Sequence, residues 1–193
     1  NSARSSTDGL TDIDPVMVFT VIGIILAAVF VAMVISILLS IFIWNPLEVG
    51  CQKFFINCKY GNAELGDMAY GFKNGYAHIG MIMFLRGLFT GLWMLLFIIP
   101  GIVKSYEYMM IPYLLAEHPE MTRQEAFAES KQMMDGEKME AFIMDLSFIG
   151  WYLLSAVTCG LLAIFYVNPY VQASFAEMYT FNKQKAYQEG YIR

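Results

Sequence analysis

Residues 16–44 form a run of 29 residues without a single charged side chain. The hydrocarbon core of a bilayer takes about 20 apolar residues of α-helix, so this run is long enough to cross with tilt or overhang. Trp44 stands where an interfacial anchor belongs. Pro46 is expected to stop the helix, because it lacks the N–H an interior turn needs and its ring crowds the carbonyl four residues back. Composition agrees: 58% of the chain is hydrophobic and 15% charged, against about 45–50% and about 25% in soluble domains, and the mean hydropathy is +0.51. The expected class is all-α, a polytopic transmembrane helical bundle with about five membrane segments plus amphipathic interfacial and cytoplasmic helices.

The rest of the chain divides by charge and by helix breakers. Residues 1–15 are a polar flank expected outside the cytoplasm. The transmembrane domain, 16–181, is expected to cross at about 16–44, 79–99, 102–117, 141–158 and 161–181, with a cytoplasmic elbow at 118–140 and a cytoplasmic tail at 182–193. Between the first two spans, Leu47, Cys51, Phe54, Phe55 and Cys58 share one side of an amphipathic helix expected to lie along the interface. Pro100 and Gly101 break the apolar run after residue 99 and are expected to form a turn near the outer face. The segment 102–117 is the weakest span, about 25 Å of helix, and is expected either to cross fully or to be re-entrant. In the elbow, Thr122 and Glu125 have capping-box spacing. Ala126, Ser130, Met133 and Met134 are expected to face the bundle, with Glu125, Glu129 and Lys131 facing water.

Basic residues orient the chain. The N-terminal flank holds Arg4 against Asp8, Asp12 and Asp14, whereas Lys53, Lys59, Lys73, Arg123, Lys131, Lys138, Lys183, Lys185 and Arg193 fall in the later polar stretches. The positive-inside rule puts those stretches in the cytoplasm and the N-terminal flank outside. The net charge of −5 and the lack of any basic cluster exclude a nucleic-acid surface, which needs Lys and Arg to neutralise phosphates. Cys51 and Cys58 lie about 10 Å apart on a helix, too far for a disulfide, and Cys159 sits in an apolar stretch.

No catalytic, cofactor or metal motif is found, and His78 and His118 sit at segment edges as solvated or interfacial side chains. The notable residues are polar ones within spans, where ionisable groups are costly. Arg86, Thr90 and Trp93 share one face; Asp145, Tyr152 and Ser155 share another; Tyr170, Ser174 and Glu177 share a third. Facing one another, they would make a polar seam with Arg86 paired to Asp145 or Glu177. The seam reads either as a solute or ion path or as side chains reaching back to headgroups. Small residues recur at Ala28, Ala32, Ser36 and Ser40 and at Gly87 and Gly91, a spacing that permits close helix approach; these are expected to be helix contacts.

The second half resembles a bacterial membrane family called domain of unknown function 975. The resemblance covers roughly residues 79–180 and rests on Ile99-Pro100-Gly101-Ile102, Lys104-Ser105-Tyr106, the stretch PYLLAEHP from Pro112, EAFAESKQMMDG from Glu125, LSFIGW from Leu146, and Asn168-Pro169-Tyr170. It implies no activity and no catalytic residues. It also implies a further N-terminal membrane segment, which would account for a chain beginning at Asn1 and bring the crossings to six. A looser likeness links EAFAESKQMMDG and the span after it to membrane domains attached to some glycerophosphodiester phosphodiesterases. The expected function is therefore a non-enzymatic bundle that interacts with membrane lipids, a membrane-protein partner or a second copy of itself, as an envelope or export-assembly component. A small-solute or ion carrier using the seam is the alternative, and a lipid-active enzyme the weaker one.

Overall fold

The structure, a computed structural model, describes residues 14–190. The chain separates into two units, Asn1–Ser40 and Ile41–Arg193. The charges of the N-terminal flank other than Asp14, and Arg193, lie outside the described residues.

The first unit is one helix, α1, Pro15–Leu39, with proline in its first turn, where a missing N–H costs nothing. It is apolar on every side, so no face of it is marked for a core.

The second unit is also helical, and no strand occurs among the described residues. A π-helical segment, Ser40–Trp44, runs directly into α2, Asn45–Lys59. Pro46 therefore does not end the helical backbone, contrary to expectation. A π turn bonds five residues apart instead of four, so the chain accommodates a residue with no N–H. The Phe42 carbonyl, which an amide at position 46 would have served, accepts instead from the Tyr76 hydroxyl at 2.7 Å. A short 3₁₀ turn, Leu65–Ala69, and α3, Tyr70–Lys73, fold back onto α2. The approach is close enough that a Cβ on Gly50 would lie 2.0 Å from the Met68 carbonyl oxygen, and one on Gly71 2.2 Å from that of Pro46.

Two helical hairpins follow. In the first, α4, Tyr76–Leu96, returns as α5, Ile98–Glu107. The reversal is at Phe97, whose backbone is extended (φ −153°, ψ 126°). Pro100 lies inside the first turn of α5, where its lack of an N–H is harmless. Gly101 permits the contact, since a Cβ there would sit 2.6 Å from Met94 Cα. The expected turn at Pro100-Gly101 thus lies three residues earlier. After α6, Ile111–Glu117, and α7, Arg123–Met133, the second hairpin is α8, Lys138–Val157, which turns through Cys159 (φ 51°) and Gly160 (φ 83°). It returns as a second π-helical segment, Ala163–Val167, continuing into α9, Asn168–Gln188.

Among the described residues, three helices are long and apolar enough to cross a membrane: Pro15–Lys59, Tyr76–Leu96 and Lys138–Val157. The segment 102–117 is not one helix. It is split between α5, of 10 residues, and α6, of 7, about 15 Å and about 10 Å of helix.

The core sits around α6. Residues 111–116 are all buried, packed with Val49 and Ile56 of α2, Ile79, Ile82 and Met83 at the start of α4, and Phe175 and Tyr179 of α9. On α2 the buried positions are Pro46, Val49, Gly50, Gln52 and Ile56; of the expected face, Phe55 packs against the core, Leu47, Cys51 and Phe54 are half-buried and Cys58 is exposed. Gly50 and Gly71 bring the 3₁₀ turn and α3 against α2, and α6 and α9 cover the rest. The α7 capping box is formed, with Glu125 N–H bonding to Thr122 Oγ1 and Thr122 N–H to Glu125. Ala126, Ser130, Met133 and Met134 are buried, whereas Glu125 and Lys131 are exposed and Glu129 is half-buried.

Candidate functional site

The three polar stripes do not converge; each ionisable member pairs elsewhere. Arg86 Nη1 meets Glu48 Oε1 of α2 at 2.8 Å, and not Asp145 or Glu177. Asp145 accepts from the Tyr106 hydroxyl of α5 at 2.7 Å. Glu177 meets Lys59 of α2 at 2.6 Å. The partners come from segments 45–60 and 98–107, which the pattern placed at an interface or in a separate span. Of the remaining members, Ser155 and Ser174 donate to carbonyls four residues back in their own helices, those of Trp151 and Tyr170. Tyr170 stacks on Tyr166, with centroids 6.1 Å apart. Thr90 is half-buried and Tyr152 exposed, while Trp93 lies beneath the Lys104 ammonium at 5.9 Å. Gly87 and Gly91 border open space: a Cβ on either would meet nothing within 4 Å. Ala28, Ala32 and Ser36 are exposed on α1.

A different constellation is built where α2 meets α9. Gln52 Nε2 donates to Gln172 Oε1 at 3.0 Å, and Lys59 of α2 reaches both Glu177 and Thr180 of α9. The contacts advance along both helices in the same sense, so α2 and α9 run parallel. Each is preceded by a π-helical segment and opens with Asn-Pro. The repeated pattern is legible in the chain: Ile41-Phe42-Ile43-Trp44-Asn45-Pro46 and Ile164-Phe165-Tyr166-Val167-Asn168-Pro169. Isolated π turns recur at functional sites because they re-aim side chains. Between these two elements lies a cavity of about 440 Å³, within the usual range of about 300–1,000 Å³ for small-ligand sites. Trp44, Leu47, Phe55 and Ile164 supply its apolar wall, and Glu48, Gln52, Asn168 and Gln172 its polar side. Gln52 is 5% exposed, and its Oε1 has no hydrogen-bond partner. An unmet buried acceptor costs about 1–3 kcal/mol; this oxygen is sealed from solvent, and so from the cavity. Sequence reasoning missed this site because Gln52 and Gln172 are individually unremarkable; the repeated Ile-Phe-x-x-Asn-Pro was the available signal.

A second polar cleft, between α6, α7 and α9, is held by ion pairs outside the spans. Glu117 meets Lys183 and accepts from the Tyr179 hydroxyl at 2.5 Å. On α7, the Thr122 hydroxyl and amide hold the Glu125 carboxyl below the ordinary carboxylate range, while burial pushes that of Glu129 up. Among the described residues, no group of three or more His, Cys, Asp or Glu side chains is placed to hold a metal ion.

Taken together, these features define a protein whose described residues are helical without strands, three of the helices being long and apolar enough to cross a membrane. The chain belongs to the family described as Protein of unknown function (DUF975), whose model matches residues 16–185. The match extends through the first span as well as the second half. No curated protein and no solved structure matches the chain.

Proposed function

We propose that the protein is a non-enzymatic, multi-pass component of a bacterial cytoplasmic membrane, working through contacts of its helical surfaces with lipid or with a partner in the envelope. One observation carries this reading. The most apolar windows of Tyr76–Leu96 and Lys138–Val157 are only 22% and 17% buried, so most of their apolar surface must be covered by something other than the protein's own core. In water such surface would drive aggregation; in a bilayer lipid tails cover it without penalty. The orientation has the N-terminal flank outside and the α6-centred core with the tail in the cytoplasm, supported by the basic residues of α2, α7 and α9.

Two measurements test it. The full chain should resist alkaline extraction from membranes. A thiol reagent that cannot cross membranes should leave Arg123→Cys and Lys185→Cys, each in a chain without native cysteines, unlabelled in intact cells and label them after lysis. Labelling in intact cells overturns the orientation; alkaline extraction overturns the membrane reading. Solute flux into proteoliposomes that charge reversal of Arg86 abolishes would replace this reading with that of a carrier.

A further inference from the structure

We propose that the hairpin of α4 and α5 is re-entrant. It enters the cytoplasmic leaflet, turns at Phe97 near the middle of the bilayer and returns, so its partner is the acyl chains of one leaflet. The inference rests on the membrane reading above and refines where this hairpin meets lipid. Helix length is the first ground. The beginning of α4 belongs to the core, through Ile79, Ile82 and Met83. What projects beyond it, residues 86–96, is about 15 Å of helix, and the 10 residues of α5 are again about 15 Å. The hydrocarbon core is about 30 Å thick, and tilt can only shorten the reach.

The feet of both arms are held on the polar side. No charged side chain occurs from 87 to 103. At one end of this stretch Arg86 meets Glu48 at 2.8 Å, and at the other Lys104 meets Glu107 at 2.8 Å. Glu107 is tied in turn to Lys138 at the start of α8, at 3.5 Å, and its carbonyl accepts from Ser130 of α7. Although α7 exposes Arg123, Glu125 and Lys131, its Phe127 meets Phe89 edge-on at 5.7 Å. The polar boundary therefore crosses α4 near Phe89, about 12 Å of helix before the turn.

The turn itself suits hydrocarbon. Phe97, Ile98 and Ile99 are 64%, 74% and 77% exposed, and no polar side chain lies from 94 to 103. A turn emerging into water on the far side would leave this apolar surface bare. A helix start leaves four amide positions without a partner in the helix. Here Phe97 donates to the Trp93 carbonyl and Pro100 has no N–H, which halves the cost of placing the break in lipid. Such a hairpin adds no crossing, so α2 and α7 stay on one side, as their basic residues require.

The test places a nitroxide at Leu88, Leu95 or Ile98, all exposed, in the full chain without native cysteines, reconstituted in phosphatidylethanolamine–phosphatidylglycerol liposomes. Depth is read from collisions with oxygen relative to those with a water-soluble nickel chelate. Leu95 and Ile98 should be the deepest sites, about 10 Å deeper than Leu88. A hairpin that crosses the bilayer gives the reverse order, with Leu88 deepest and the turn at headgroup depth, and overturns the inference. Labels at Leu95 and Ile98 shielded from oxygen and chelate alike would assign the turn to a protein partner, and overturn it too. A second measurement uses the native chain: a diazirine at the end of an acyl chain should mark residues 95–99 more heavily than one beside the headgroup, and the opposite ratio overturns the inference. Alkaline extraction of the protein would remove the membrane reading itself, whereas a chain that resists extraction and has a shallow turn loses this inference alone.

Discussion

Two apolar stretches of nearly equal hydrophobicity have opposite fates here. In α6, residues 111–116 are all buried. In the C-terminal half of α4, Leu95 is 86% exposed, and Leu92, Met94 and Leu96 are exposed with it. Hydrophobicity therefore does not tell a buried stretch from an exposed one; what stands at the ends of the stretch does. Glu107 lies just ahead of α6, paired with Lys104 and Lys138, and its carbonyl accepts from Ser130 of α7 at 2.8 Å. Glu117 closes α6, held by Lys183 of α9. These partners bring α7 and α9 to the two ends of α6, while α2 and α4 pack along it. The C-terminal half of α4 has no charge to recruit a neighbour; α5 covers one side, and Phe127 of α7 meets it edge-on at Phe89.

The glycines offer the hardest test of this contrast. Gly50→Leu places a side chain where even a Cβ would lie 2.0 Å from the Met68 carbonyl oxygen, a backbone atom that cannot swing aside. We expect loss of folded, monodisperse protein on size-exclusion chromatography in detergent. Gly91→Leu enters open space and should leave the profile unchanged. If Gly91→Leu disrupts folding as severely, the C-terminal half of α4 is a packed interface and the contrast fails. A smaller effect separates the leucines. Leu115 is fully buried, so Leu115→Ala should lower stability by about 2–5 kcal/mol, measured by thermal unfolding in one detergent. Leu95→Ala should stay within about 0.5 kcal/mol.

Much of the contrast was legible in the chain, because the signals were local. An uncharged run of 29 residues has few ways to fold, and Thr122 with Glu125 announces its own capping box. The Met-rich inner face of α7 followed from helical spacing alone. The site was less legible because its geometry is set between distant segments. Arg86 found Glu48, 38 positions away, once α2 was turned inward by glycines whose close contacts no periodicity reveals. Pro46 escapes a reading of the sequence for a related reason: the π turn before it and the Tyr76 hydroxyl that serves the freed Phe42 carbonyl both depend on the folded chain. Residues 102–117 looked like a span because α6 is as apolar as one; only its partners on other helices make it core.

The smallest effects sit on α7, at the border between the buried core and water. Thr122→Ala removes the cap and should cost about 1 kcal/mol in the same unfolding measurement. Glu125 and Glu129 then give a pair of opposite signs one turn apart. The folded protein holds the Glu125 carboxyl below its ordinary value of 4.5 by bonds from Thr122. Its contribution is thus complete above that value and is lost as the pH falls through the lower, folded one. Burial raises the Glu129 carboxyl above 4.5, with nearby Glu125 adding to it, so the charged form is penalised at neutral pH and the penalty lifts as the pH falls through the raised value. Subtracting the Glu125→Gln stability curve from that of the native chain should leave a difference that shrinks below about pH 4.5. The Glu129→Gln difference should move in the native chain's favour as acid is added, beginning at higher pH. Two curves bending the same way would mean that Glu129 is as fully solvated as Glu125, and that α7 lies less firmly against the core than its buried Ala126 and Ser130 require.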